Sequence, residues 1–281
     1  MGLRINTNVA SLNAQRNLHE TRRGMNKSLE KLSSGQRINR AGDDAAGLAI
    51  SENLKAQVRG LGQAERNAED GISLVQIAEG ALGEVSNILI RLRELSVQAA
   101  SDTIGSTERK FLNVEFEQLT SEVDRIANST EFNRVPLLNG TGAVFDIQIG
   151  TRNDPISDRL SFDASSADVN VAALGLNLAS VADKISAQNS LSSIDQAIVS
   201  VSGIRADFGA LQNRLQSTIN NLQVSQENLS AANSRIRDTD VASETAELTK
   251  QNILMKAGTS VLAQANSSTK SALNLIGAAA Q

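Results

Sequence analysis

The stretch LVQIAEGALGEVSNILIRLRELSVQA, residues 74–99, decides the fold. Its apolar residues Leu74, Ala78, Ala81, Val85, Ile88, Leu92, Leu95 and Ala99 follow one another in steps of four and three. That is the 3.5-residue period of a coiled-coil seam rather than of a helix lying on a sheet. No proline interrupts the chain from Asp44 to Ala99. Helix over that length, at 1.5 Å per residue, spans about 84 Å, more than a compact domain of this size would measure, so the spacing predicts a rod. Gly60, Gly62, Gly71, Gly80 and Gly83 each cost such a helix up to about 1 kcal/mol against alanine. Their expected use is close approach of partner helices.

Outward from this seam the same period recurs. Asp102 to Ser106 reads as a turn, and Leu112, Phe116, Leu119, Val123 and Ile126 form a second seam. So short a link between two seams implies an antiparallel hairpin. A third helix, from about Asp183 to Ile236, carries Val201, Ile204, Phe208, Leu211, Leu215, Thr218, Leu222, Ser225, Leu229, Ala232 and Ile236. Both prolines, Pro136 and Pro155, lie between the second and third helices, and Asn133, Asn139, Gly140 and Gly142 break the helical pattern there. Phe145, Ile147 and Ile149 alternate with Asp146 and Gln148, the period of a strand. After the Asn153-Asp154-Pro155 turn, Leu160 and Phe162 suit a return strand, so one small β-hairpin is expected, followed by a loop to Ser180.

The two ends are weaker. Leu3, Ile5, Val9, Leu12, Met25, Leu29 and Leu32 make a thin stripe among Asn, Ser, Gln and Arg, and an isolated helix of this kind is marginal in water. Val241, Leu248, Met255, Leu262 and Ile276 repeat by sevens, with Thr269 interrupting. The small residues Gly258, Ala265 and Ala272 beside that row suit close packing against the N-terminal stripe. Ser33, Ser34, Gly35 and Gly42 break the first helix, and Asp43 and Asp44 suit a helix start. Asp238-Thr239-Asp240 marks a second joint, expected beside the first. Because the paired ends bury little while ordering each residue costs about 1–2 kcal/mol, they are expected to order only on assembly.

The fold class expected is therefore mainly α. A long antiparallel coiled-coil-like rod comprises 44–142 with 181–236. Paired N- and C-terminal helices comprise 1–43 with 237–281, and a small β-hairpin excursion comprises 143–180.

Composition narrows the function. The 281 residues carry a net charge of −4, which argues against a nucleic-acid partner. Only six residues are aromatic, all Phe, and there is no cysteine, so disulfides and thiolate metal sites are excluded. No run reaches the 18 apolar residues of a membrane span, so no membrane insertion is expected, and no signal-peptide h-region appears. Asn6 spoils the Met1-Gly2 myristoylation pattern. The single histidine, His19, rules out HExxH, and neither GxSxG nor a phosphate loop is present. No catalytic, metal or cofactor site emerges, and a structural protein is expected, not an enzyme. Asn128-Ser129-Thr130 and Asn139-Gly140-Thr141 match the N-glycosylation pattern at a length where chance explains them.

Three stretches carry a resemblance. Leu32–Ile50 (LSSGQRINRAGDDAAGLAI) resembles the signature region of bacterial flagellins. Ile5–Leu18 (INTNVASLNAQRNL) is similar to their N-terminus, and Ser234–Asn266 (SRIRDTDVASETAELTKQNILMKAGTSVLAQAN) to their C-terminal region. Lys256, where many flagellins have Gln, and the ending from Ser267 to Gln281 depart from the pattern. The resemblance implies a filament subunit for motility, exported by the flagellar type III apparatus. It implies self-association through the terminal helices, with Leu3, Ile5, Val9, Leu12, Leu248, Met255, Leu262 and Ile276 as contact residues and the ends lining an inner tube. Implied partners are copies of itself, flagellar cap and junction proteins and an export chaperone. Ile90–Gln98 resembles the segment read by the vertebrate Toll-like flagellin receptor, which carries that contact onto Arg91, Leu95 and Glu115, although the seam register also claims Leu95. The filament is implied to be external, sheathed or periplasmic. A hook–filament junction protein and a secreted coiled-coil adhesin or export substrate are the competing readings.

Overall fold

The computed structural model describes residues 7–278, with side chains as far as residue 268. Leu3 and Ile5 fall outside the described residues, as do the side chains of Thr269, Ala272 and Ile276. Helices α1 (Val9–Ser34), α2 (Ala45–Ala100) and α3 (Ser106–Ser129) come first. Four short strands follow: β1 (Glu131–Phe132), β2 (Val135–Pro136), β3 (Val144–Gln148) and β4 (Arg159–Asp163). A 3-10 turn at Ala164–Ser166 leads to helices α4 (Lys184–Arg237) and α5 (Val241–Ala278). The mainly helical class is as the spacing predicts. The chain divides into two compact units, residues 57–228 and residues 1–56 with 229–281.

In the 57–228 unit, α2 and α4 run antiparallel. Glu65 accepts a hydrogen bond from Gln223 at 2.7 Å, Arg93 pairs with Asp195 at 2.7 Å, and Asp102 pairs with Lys184 at 2.7 Å. As the numbers climb on one helix they fall on the other. α3 folds back on α2 through the turn at residues 101–105. The Arg109 guanidinium donates to the carbonyls of Ala99 and Ser101, both at 2.8 Å, and so satisfies the end of α2.

The core lies along α2. Ala64, Ala68, Gly71, Val75, Ala78, Leu82, Val85, Leu89, Leu92, Ser96 and Ala99 are all buried, in unbroken steps of four and three. Ala78, Val85, Leu92 and Ala99 belong to the predicted seam. The centre of burial is displaced from it by one row, since Ala81 and Ile88 are only half-buried. On α3, Phe116, Val123 and Ala127 are buried, and on α4 the predicted row from Val201 to Leu222 extends back through Ile194, Ala197, Ser190 and Ala187.

The β-hairpin forms where expected, with Phe145 opposite Phe162 and Ile147 opposite Leu160. Its ring Phe162 lies 4.8 Å from Phe208 of α4. Gly71 permits this approach, because a Cβ there would stand 2.6 Å from the Ile147 side chain. The nearest neighbour of Gly71 is thus a strand, with Leu215 of the partner helix α4 next at 3.3 Å, and Gly80 and Gly83 have nothing within 4 Å, so the expected use in close approach of helices is not found at those two. The expectation that strands occur only from Val144 onward is corrected. β1 and β2 pair as a second, two-residue hairpin, with Phe132 opposite Val135. The loop after β4 is not peripheral padding. Val169, Val171, Leu174, Leu176 and Val181 are buried, and the Val171 N–H donates to the Asp124 carboxylate at 2.8 Å.

Candidate assembly surfaces

The other unit is built on the antiparallel pair α1 and α5. Asn8 caps α1 by accepting the Ser11 N–H at 3.0 Å, while its amide donates to the Ala265 carbonyl at 2.9 Å. The Ser11 hydroxyl donates to Asn266 at 3.0 Å. Further along, Leu18 covers Gly258 so closely that a Cβ would stand 2.8 Å from its methyl group. Near the joint Lys31 pairs with Glu244 at 3.2 Å. On α5, Leu248, Met255 and Leu262 are half-buried and alternate with the equally half-buried Gln251, Gly258 and Ala265.

On α1 the buried positions are Ser11, Ala14 and Ser28, not the larger residues of the predicted stripe. Val9, Leu12 and Leu29 are 54%, 52% and 47% exposed. The expectation that these three pack on the C-terminal helix is corrected. Small side chains let the two backbones come close, and Val9, Leu12 and Leu29 are turned outward. Val241, Ile253, Leu254 and Val261 are likewise exposed on α5. Single exposed apolar residues are ordinary. What sets this unit apart is that Ala14 and Ile38 are its only buried apolar residues among those described, against more than thirty in the 57–228 unit.

The two joints meet. The Arg37 N–H donates to the Arg237 carbonyl at 2.6 Å, and the Thr239 N–H to the Gly35 carbonyl at 3.0 Å. The Arg237 guanidinium binds Gln36 at 3.0 Å and pairs with Glu52. Ile38 plugs the bend at 2% exposure. No pattern in the sequence marked it, because an isolated apolar residue in a loop has no period. Asp44 starts α2 as expected, accepting the Gly47 N–H at 2.8 Å. Asp43 instead binds Lys27 at 2.8 Å, and that lysine holds its carboxyl below the usual carboxylate range.

On α2 and α3 a second surface is exposed. The Arg91 guanidinium donates to Glu115 at 2.8 and 3.0 Å and pairs with Glu94 at 3.0 Å, and these partners raise its pKa. Leu95 is 1% exposed and lies in the seam behind them. His19 is exposed on α1. Among the described residues no group of His, Cys, Asp and Glu could hold a metal ion, and no helix is long and apolar enough to cross a membrane.

These helices match known proteins over most of the chain. Residues 5–143 match the bacterial flagellin N-terminal helical region and residues 191–276 the bacterial flagellin C-terminal helical region. A flagellin of Halalkalibacterium halodurans is 46% identical over 97% of this chain and 99% of its own length. The flagellar filament 33 kDa core protein of Treponema phagedenis is 42% identical over 97% and 99%. Among solved structures, Bacillus cereus flagellin is similar with a TM-score of 0.51 and 34% identity, over 60% of this chain and 94% of that one.

Proposed function

The chain belongs to the bacterial flagellin family and is a structural subunit of the flagellar filament, and from that premise we propose how it assembles. The outward apolar residues of α1 and α5, Val9, Leu12, Leu29, Ile253, Leu254 and Val261, are covered by neighbouring copies. Leu248, Met255 and Leu262 hold the pair together within one copy, and the family resemblance adds Leu3, Ile5 and Ile276, whose side chains lie outside those described, to the contacts between copies. The carrying observation is the near-absence of buried apolar residues in the terminal unit. Ordering a helix of 26 residues such as α1 costs tens of kcal/mol, at about 1–2 per residue. Contacts between copies add burial that this unit lacks by itself.

In this reading residues 1–43 with 237–281 line the inner tube, 44–142 with 181–236 form the wall, and 143–180 is an outer excursion. The subunit acts by binding copies of itself, with no chemical step. Head-to-tail contacts whose rotation does not close produce an open filament. Export by the flagellar type III route delivers it outside the cytoplasm, with a chaperone before export, a cap protein at the growing end and junction proteins at the base. Arg91 and Glu115, exposed and joined to each other, offer a polar contact to a Toll-like receptor, with Leu95 supporting them from behind. A junction-protein role is disfavoured by relatives whose names are filament subunits.

Sedimentation tests the reading. The full chain should give pelletable fibres visible in electron micrographs. A fragment 44–236, which retains the large core, should remain helical and soluble. Fibres grown from that fragment would overturn the proposal.

A further inference from the structure

The two-residue turn between β1 and β2 holds Asn133 at φ 49° and Arg134 at φ 65°, and they are the positive-φ residues other than glycine among those described. A two-residue hairpin turn of type I′ needs this left-handed backbone at both positions, and Gly is the residue that adopts it without strain at the second. Asn tolerates it; a long side chain such as Arg does not gain from it. Arg134 is exposed, and among the described residues its side chain makes no ion pair or hydrogen bond. The strand pairing of the hairpin holds the turn, and no side-chain contact of Arg134 itself within the described subunit offsets the strain. Non-glycine residues held in such backbone cluster at functional contacts.

The charge of the molecule indicates the partner. The terminal unit has 14 Lys and Arg against 9 Asp and Glu, a net +5. The 57–228 unit has 13 against 22, a net −9. Arg134 is thus a cation at the tip of a hairpin in a strongly acidic unit. In a polymer of identical chains, every neighbouring copy presents the same acidic unit.

We propose that Arg134 is an intersubunit contact residue that pairs with a carboxylate on the 57–228 unit of a neighbouring copy. The inference rests on the filament reading above. The guanidinium fork suits a carboxylate, and Arg134 is exposed at the turn.

The test uses the full chain and its filaments. Arg134→Gly removes strain and charge, Arg134→Gln removes charge alone, and Arg134→Lys keeps both. The Gly variant should melt roughly 2–4 °C higher as a monomer. The Gly and Gln variants should both need about two- to fivefold more protein to polymerise, as expected for an exposed ion pair. The Lys variant should polymerise close to wild type, and the difference between Gln and wild type should shrink as salt is added. Gly and Gln variants that polymerise at the wild-type concentration would overturn the contact. Failure of the unaltered chain to form fibres would count against the filament reading instead.

Discussion

Asp43 and Asp44 are neighbours in the chain and take different partners. Asp44 caps α2, while Asp43 reaches back to Lys27 of α1 and also accepts the N–H groups of Asn39 and Arg40 at 3.3 Å. The sequence marks both as a helix start because carboxylates before an apolar run usually are. Only the return of α1 distinguishes them. Lys27 holds the Asp43 carboxyl low, and Asp43 raises the pKa of Lys27 in turn. A depressed carboxyl contributes stability above its unfolded value, near 3.9, and loses it as the pH falls through the folded one. The raised lysine contributes below about 10.4 and loses it as the pH rises through its folded value. The contribution of this pair is therefore steady between these limits. Below about pH 4 the dissociation temperature of filaments should fall more for wild type than for Asp43→Asn, which has no such charge to lose. Equal acid limbs in the two proteins would disprove the coupling.

Among the elements, the pairing of α1 with α5 depends on small residues. Gly258 lies under Leu18, whereas Gly83 of α2 has open space around it. Gly258→Leu should push the helices apart and raise the protein concentration needed for filaments several-fold. Gly83→Ala should leave polymerisation unchanged and stabilise its own unit by up to about 1 kcal/mol, through helix propensity alone. A Gly258→Leu chain that polymerises normally would contradict the seam. The long helices were legible in the sequence nearly to the residue, because a 3.5-residue period sustained over many turns arises from helices packed along a seam and from little else. Which row is central was not. Val75, Leu82 and Leu89 are completely buried because α2 is covered by α3, α4 and the β3–β4 hairpin together, and one helix's own pattern does not state how many partners it has. The β1–β2 hairpin escaped notice because Asn133 is followed by Arg, not by the Gly that marks such turns. On α1 the large apolar residues suggested the seam and the small polar ones suggested surface. The roles are reversed, since Ser11 and Ser28 are buried and Val9 and Leu12 are exposed.

The whole molecule is unevenly provided for. Among the described residues, one unit holds nearly all the buried apolar side chains, and the other presents Val9, Leu12, Leu29, Ile253, Leu254 and Val261 outward on two long helices. On the proposed reading, that division leaves the terminal unit dependent on neighbouring copies for its order. Amide hydrogen exchange on monomer and filament tests this most directly. Amides of α1 and of α5 should exchange quickly in the monomer and become strongly protected in the filament, while those of α2 around Leu89 should be protected in both. Slow exchange of α1 and α5 in the monomer, or unchanged exchange there after polymerisation, would contradict the dependence of the terminal unit on its neighbours.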